Sequence, residues 1–356
     1  MRQTRQHGRV TLSDIAERTG VSKVTVSYIL NDRETTLVRI SDQTRQRVLA
    51  AARELNYHPN ALARGLTRRR TDTVTLVMQS PDVFRGGSGF MNELLHGVVG
   101  AVNALGCDVM LHTKRLPDPD AEMRALTDGR SDGVLLLRDR DDPLAAALYR
   151  SEHPFVLLFA RECSAPGVPF VDADNQLGGR LAAEYLLSLG HRRILFVAGS
   201  ARSVAVEDRR AGFSESLSRA GLPAEPWGRI EITYSGGDYR PLVQLMGDTP
   251  EWERPTAIFA WSDDVAMGAI EALRRECGLS VPGDVSVIGF DGTEASGSGG
   301  VRLTSVRQPI AEIAGRAVNR LVAQVRGEMP SETAQLFAPA LLERETCAPP
   351  RVLNAP

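Results

Sequence analysis

The chain is 356 residues long, 42% hydrophobic and 24% charged, the balance of an ordinary globular protein with room for a small domain beside a large or two-lobed one. No run approaches the ~18 apolar residues of a transmembrane helix, and the basic start Met1-Arg2-Gln3-Thr4-Arg5 leads into no apolar secretory segment, so a cytoplasmic protein with no membrane partner is expected. The net charge of −2 hides an asymmetry: residues 1–70 hold 14 Lys+Arg against 6 Asp+Glu, and the remainder 28 against 38, a head of +8 on a body of −10.

Charge alone leaves a polyanion-binding head and a solvated basic arm equally open. Cys107, Cys163, Cys277 and Cys347 are scattered, and neither they nor the six histidines show metal-ligand spacing; reduced thiols, with no metal and no cofactor, are expected.

The head reads as three short helices. Thr11 and Asp14 have capping-box spacing, so a first helix starts after Thr11, runs to about Thr19 and stops at Gly20. Ser22 caps a second helix reaching Asn31, and Ser41 a third whose Val48, Leu49, Ala52 and Leu55 form one apolar stripe. Pro59 suits the start of a further, two-turn helix; with Gly65 inside it, that helix is marginal alone in water.

From residue 73 apolar runs alternate with amphipathic stretches. The expected strands are 74–78, 109–112, 133–137, 155–159, 194–198, 229–233, 257–260 and 285–290, with helices between most of them, such as 179–189 and 266–276. The fold class is therefore α/β: an all-α head, then parallel sheets wound with helices on both faces. About four strands precede residue 170 and four follow it, which suggests two lobes and a cleft.

The head meets the steric demands of a helix-turn-helix. Ala16 is small where two helices cross, Gly20 permits the tight turn, and Ile15, Val26 and Ile29 supply the apolar lock. The second helix then lies in the major groove with Lys23, Val24, Thr25, Ser27 and Tyr28 nearest the bases. Small helical bundles can imitate this pattern.

The run Thr11-Leu12-Ser13-Asp14-Ile15-Ala16-Glu17-Arg18-Thr19-Gly20-Val21-Ser22-Lys23-Val24-Thr25-Val26-Ser27 resembles the head of the lactose-repressor (LacI/GalR) family. The segment Leu55-Asn56-Tyr57-His58-Pro59-Asn60-Ala61-Leu62-Ala63-Arg64-Gly65-Leu66 resembles that family's hinge. The resemblance implies a hinge helix that folds on DNA in the minor groove, with Leu66 wedged between base pairs; a linker leucine resting on the body is the alternative. It adds Thr11, Ser22, Asn31, Asn60, Ala63 and Arg64 to the DNA-facing set. Tyr28 stands where many members carry arginine, which implies a different operator at the matching base pair, since tyrosine cannot bond guanine twice.

The resemblance continues through Asp172-Ala173-Asp174-Asn175, Ser262-Asp263-Asp264 and Ile288-Gly289-Phe290-Asp291, and implies a periplasmic-binding-protein-like body. Its implied domains are 1–58 (helix-turn-helix), 59–71 (hinge), 72–171 with 309–337 (first lobe) and 172–308 with 338–356 (second lobe). A small ligand between lobes, at the carboxyl ends of strands, also follows from the behaviour of open α/β sheets.

Carried over by position, Arg209 and Asp291 match ligand-binding residues, Ser262 falls where many members have a ligand-bonding asparagine, and Phe84 where an apolar contact is usual. A carboxylate, a guanidinium and aromatic faces suit a polyol, so a sugar is the expected effector. Arg209 on a surface ion pair and Asp291 capping a turn are the plainer alternatives, and Trp261 and Phe290 pack under the cleft or stack on ligand with equal ease. Arg138 and Arg161 end first-lobe strands; if both face the cleft, a carboxylated or phosphorylated ligand fits.

The expected function is a repressor controlled by a small ligand, acting as a homodimer on a pseudo-palindromic operator. A transport-type sugar-binding protein and a nucleoside- or purine-responsive repressor are the alternatives. An enzyme is disfavoured: Arg85-Gly86-Gly87-Ser88-Gly89 lacks dinucleotide or P-loop spacing, and no nucleophile–base set stands out.

Overall fold

The computed structural model describes residues 10–30, 40–57, 70–78, 88–138, 142–161, 167–200, 203–224, 230–232, 237–297, 300–328 and 333–351. Chain contacts divide the molecule into two units, Met1–Asp72 and Thr73–Pro356.

In the first unit, α1 (Leu12–Thr19), α2 (Lys23–Leu30) and α3 (Asp42–Glu54) close on one small core of Ile15, Val26, Ile29, Val48, Ala51 and Ala52. The ends are as the sequence predicts. Thr11 donates its amide (2.7 Å) and hydroxyl (2.8 Å) to the Asp14 carboxylate, holding that carboxyl below its ordinary pKa through the backbone bond first and the hydroxyl second. Gly20 ends α1 at φ 67°, a left-handed conformation that costs glycine nothing. The Ser22 hydroxyl accepts from Thr25 N (3.1 Å), and that of Ser41 from Thr44 N (3.3 Å).

The second unit contains two six-stranded sheets. The first is ordered β11-β5-β4-β3-β1-β2, from β1 (Thr73–Val77), β2 (Asp108–His112), β3 (Gly133–Leu136), β4 (Phe155–Leu158), β5 (Phe170–Ala173) and β11 (Ala334–Phe337), all parallel. The second is ordered β12-β10-β9-β8-β6-β7, from β6 (Ile194–Ala198), β7 (Ile230–Glu231), β8 (Ala257–Ala260), β9 (Ser286–Asp291), β10 (Thr304–Arg307) and β12 (Ala340–Leu342); only β12 runs antiparallel. β1, β3, β4, β6, β8 and β9 are almost wholly buried, because helices cover both faces of each sheet.

Beside the first sheet lie α4 (Gly89–Ala104), α5 (Pro119–Leu126), α6 (Pro143–Arg150) and α12 (Ile310–Val325). Beside the second lie α7 (Asn175–Ser188), α8 (Val204–Arg219), α9 (Arg240–Asp248) and α10 (Asp263–Glu276), with a short α11 (Glu294–Gly297) after β9. No helix among the described residues is long and apolar enough to cross a membrane.

The expected class, an all-helical head on an α/β body of doubly wound parallel sheets, is the one observed. Eight predicted strands became twelve. The four additions, β5, β10, β11 and β12, carry Asp172, Thr304, Ser305 or Gln335, or span three residues, so their own sequences lack an apolar signature. Neighbouring strands and covering helices bury β5 and β10 instead, while β11 and β12 stay partly exposed at the sheet edges: Thr304 and Ser305 are fully enclosed, their hydroxyls bonded to Arg344 N and Asp263.

Candidate functional site

α2 presents a polar edge. Val26 and Ile29 point into the head's core, while Lys23 and Val24 are exposed, Val24 to 60%. Thr25, Ser27 and Tyr28 are half-buried beside them, and the hydroxyls of Ser22 and Thr25 lie 2.8 Å apart. Thr11 is exposed at the start of α1. Asn31, Asn60, Ala63, Arg64 and Leu66 lie outside the described residues.

In the body, the second sheet assembles a buried polar group around Arg209. α7 and α8 cross in direct backbone contact through glycines: a Cβ on Gly179 would come within 2.8 Å of the Arg209 carbonyl carbon, and one on Gly212 within 2.8 Å of that of Gln176. This crossing sets Arg209 beside Asn175, the first residue of α7. Arg209 Nε donates to Asn175 Oδ1 (2.9 Å), Nη1 donates to the Trp261 carbonyl (2.5 Å), and the guanidinium carbon sits 3.5 Å from the Phe290 ring centroid. Asn175 Nδ2 in turn donates to both Asp172 oxygens at 3.3 Å.

Asp291 closes β9 at φ 119°, a backbone region that costs a non-glycine residue about 1–3 kcal/mol. Gln308 holds it there twice, its backbone N–H donating to the Asp291 carbonyl (3.1 Å) and its Nε2 to Oδ1 (2.7 Å). The other Gln308 side-chain atom, Oε1, is buried with no partner among the described residues. Gly292 follows at φ 66°, where a Cβ would meet the Arg307 backbone at 2.5 Å, so the turn that aims Asp291 requires glycine.

Charge dominates this site. Burial raises Asp291 well above the ordinary carboxyl pKa, with Arg209 pulling it back and Asp263 and Asp264 pushing further. Burial pushes Asp172 up to about 7 and Asp263 up to about 6. Burial lowers the pKa of Arg209, against the attraction of Asp291, Asp172, Asp263 and Asp208.

The other nominated residues fall differently. Ser262 is the N-cap of α10, its hydroxyl accepting from Val265 N (3.3 Å). Trp261 donates its indole N–H to the Ile232 carbonyl (2.7 Å) against Gly199, where a Cβ would lie 2.7 Å from the ring. Phe290 has no accessible surface and one face covered by Arg209, so it packs beneath the site rather than lining it. Arg138 is buried inside the first sheet's own polar cluster, donating to Glu122 (2.6 Å) and Asp142 (3.5 Å). Those two acids also border a cavity of about 310 Å³ that shares no lining residue with the Arg209 group. Phe84 is outside the described residues. No cluster of three or more His, Cys, Asp or Glu side chains able to hold a metal ion occurs among the described residues.

Besides the Asp172–Asn175 bonds, further contacts among the described residues join elements of the two sheets. Arg161, after β4, pairs with Asp208 on α8. Glu93 on α4 accepts from the Glu294 amide (3.1 Å), and Gly89 meets Thr293 so closely that a Cβ would lie 2.5 Å from its hydroxyl. Asn175, Asp172, Gln308 and Asp263 were not nominated from sequence. The first two lie inside the quoted Asp172–Asn175 motif and Asp263 inside the quoted Ser262–Asp264 one; Gln308 carries no local signal, because only strand pairing brings β9 and β10 together.

Comparison with known proteins agrees with this architecture. Residues 11–60 match the model for bacterial regulatory proteins of the lacI family, and 183–347 that for a periplasmic binding protein-like domain. The chain is 34% identical over 349 residues to the HTH-type transcriptional regulator CelR of Thermobifida fusca, covering 95% of this chain and 98% of that protein. It is 32% identical over 346 residues to the transcriptional repressor PurR of Erwinia tasmaniensis, 95% and 97% of the two chains. Among solved structures it resembles a CelR–cellobiose complex (TM-score 0.71, 32% identity, 95% and 100% covered) and a lac repressor dimer bound to operator and the anti-inducer ONPF (TM-score 0.82, 26%, 96% and 100%). A turn glycine that sets a recognition helix, a glycine-paired crossing that buries Arg209 and likeness over nearly the full length lead to one conclusion: this chain belongs to the LacI family of bacterial transcriptional regulators.

Proposed function

We propose that this protein is a cytoplasmic repressor, acting as a homodimer on a pseudo-palindromic operator, whose DNA affinity is set by a sugar-like effector bound between the two sheets of the body. The observation that carries the effector reading is the Arg209–Asp291 group, a guanidinium and a carboxylate held rigidly at strand and helix ends. Asp291 accepts from ligand hydroxyls and Arg209 donates to a ligand oxygen. The likeness to a CelR–cellobiose complex supports a sugar as effector.

A ligand shifts DNA affinity only if it binds one lobe arrangement better than another. Arg161–Asp208 and Glu93–Glu294 exist only when the sheets' loops meet, so an effector touching both sides adds to contacts already made there. On the DNA side, Lys23, Val24, Thr25, Ser27 and Tyr28 read the major groove, Thr11, Ser22 and Asn31 position them, and Asn60, Ala63, Arg64 and Leu66 enter the minor groove. Two heads in a dimer match the two half-sites.

The test begins by selecting duplexes from a randomised pool with the full chain, then measuring anisotropy of the selected duplex against a panel of sugars. The chain without residues 1–70 should lose specific DNA binding and keep its sugar-dependent thermal shift. Equal DNA binding by both forms would sink the regulator reading; a sugar shift with no selectable operator would favour the transport-type binder.

A further inference from the structure

Each body arginine expected to meet the effector already has protein partners. Arg138 spends its guanidinium on Glu122 and Asp142, inside the first sheet's cluster. Arg161 is paired with Asp208 across the groove. Arg209 has Nε on Asn175 and Nη1 on the Trp261 carbonyl. It faces Asp291 and, through Asn175, Asp172, with Asp263 behind them.

The surroundings keep the same sign. Asp264 follows Asp263 at the start of α10, and Glu93 and Glu294 meet where α4 and α11 touch. The nearby cations are Arg307, whose side chain is exposed beside Gly292, and Arg344, bonded to the Ser296 hydroxyl and the Leu303 carbonyl. Among the described residues, the groove therefore carries more buried carboxylates than guanidiniums. Its open acceptors are Gln308 Oε1, which has no partner, and Asp291, of whose two oxygens Gln308 Nε2 reaches one.

We infer that the effector is an uncharged or cationic polyhydroxyl compound, a neutral glycoside or amino sugar, and that the groove rejects carboxylated and phosphorylated sugars. The inference rests on the sugar-sensing reading above and narrows it. The physical reason is that an anion would sit among buried carboxylates that outnumber the one buried guanidinium beside them, Arg209, in a medium where like charges repel far more strongly than in water. A hydroxyl donates to those same carboxylates and leaves the charge unchanged.

The experiment measures affinity of the full chain by calorimetry at pH 7.5 for four probe pairs. Cellobiose is set against cellobionate, glucose against gluconate, glucose against glucose 6-phosphate, and glucose against glucosamine. Wherever the neutral member binds, its anionic partner should bind at least tenfold more weakly, about 1.4 kcal/mol, and the amino sugar no more weakly than glucose. The carboxylate penalty should narrow as pH falls from 8 to 5.5, because gluconate and cellobionate stay ionised while Asp172 and Asp263, lifted to about 7 and about 6, become neutral. An anionic probe that binds as well as its neutral partner, or a penalty independent of pH, overturns the inference and leaves sugar sensing intact. Failure of every probe to bind overturns both.

Discussion

Replacing Gly212 by alanine adds one methyl group where α8 meets α7. The new Cβ overlaps the Gln176 carbonyl oxygen and lies 2.8 Å from its carbon, so carbon contact at about 3.5–4.0 Å requires the helices to part by about 1 Å. Neither obstacle is a side chain that can turn aside, which places the overpacking cost at the upper end, about 3 kcal/mol. The same displacement stretches the 2.9 Å bond from Arg209 Nε to Asn175 past hydrogen-bonding range, and a bond to a charged group is worth about 1.5–3 kcal/mol. Against this, alanine gains about 1 kcal/mol of helix propensity over glycine. The clash wins by roughly 4 kcal/mol, which for a body of this size lowers its melting midpoint by about 10 °C. The assay is calorimetric melting of wild type and Gly212→Ala with and without saturating sugar. The ligand-induced shift should disappear along with the lost stability, while the head still binds the selected operator. A midpoint within a degree of wild type with a normal ligand shift would refute the idea that this crossing holds Arg209 in place.

Four further outcomes are expected. Ser41→Ala removes the acceptor for Thr44 N and should destabilise the head by about 1 kcal/mol, seen in denaturant unfolding of the head without change in the body. Asp208→Ala breaks the pair with Arg161, both side chains a third or less exposed, and should weaken effector affinity a few-fold; the double variant Asp208→Arg, Arg161→Asp should recover it, and no recovery would reduce the pair to a surface accident. Asp172 sits near 7 when folded against 3.8 in the ordinary carboxyl, so between those values the folded state binds the extra proton. Its contribution to stability is full below about pH 4 and fades as pH rises to about 7, so Asp172→Asn should flatten that part of the melting-versus-pH curve relative to wild type; parallel curves would contradict the burial argument. Leu66→Ala should weaken specific operator binding more than non-specific binding, and equal losses would remove the wedge.

The helix boundaries of the head were written into short-range sequence. A capping serine or threonine, Gly20 at the turn and an apolar lock of Ile15, Val26 and Ile29 act over a few residues, and the structure reproduces them. The strongest body strands were legible for the same reason: a parallel strand buried on both faces must be a continuous apolar run. β5 and β10 were not, because their polar residues are made tolerable by partners far away in the chain, Asn175 for Asp172 and Asp263 for Ser305. The residue types around the site were visible as well, with Arg209 and Asp291 both marked by the family motifs. Their commitments belong to tertiary structure alone. Whether a guanidinium is free for a ligand depends on which carboxylates the sheet order sets beside it, and that joins residues such as Arg138 to Glu122 and Arg161 to Asp208 across spacings no local pattern records. Sequence chose the groups; the packing of two sheets decided which of them remain to bind anything, since a buried charge must be paired before it can be useful.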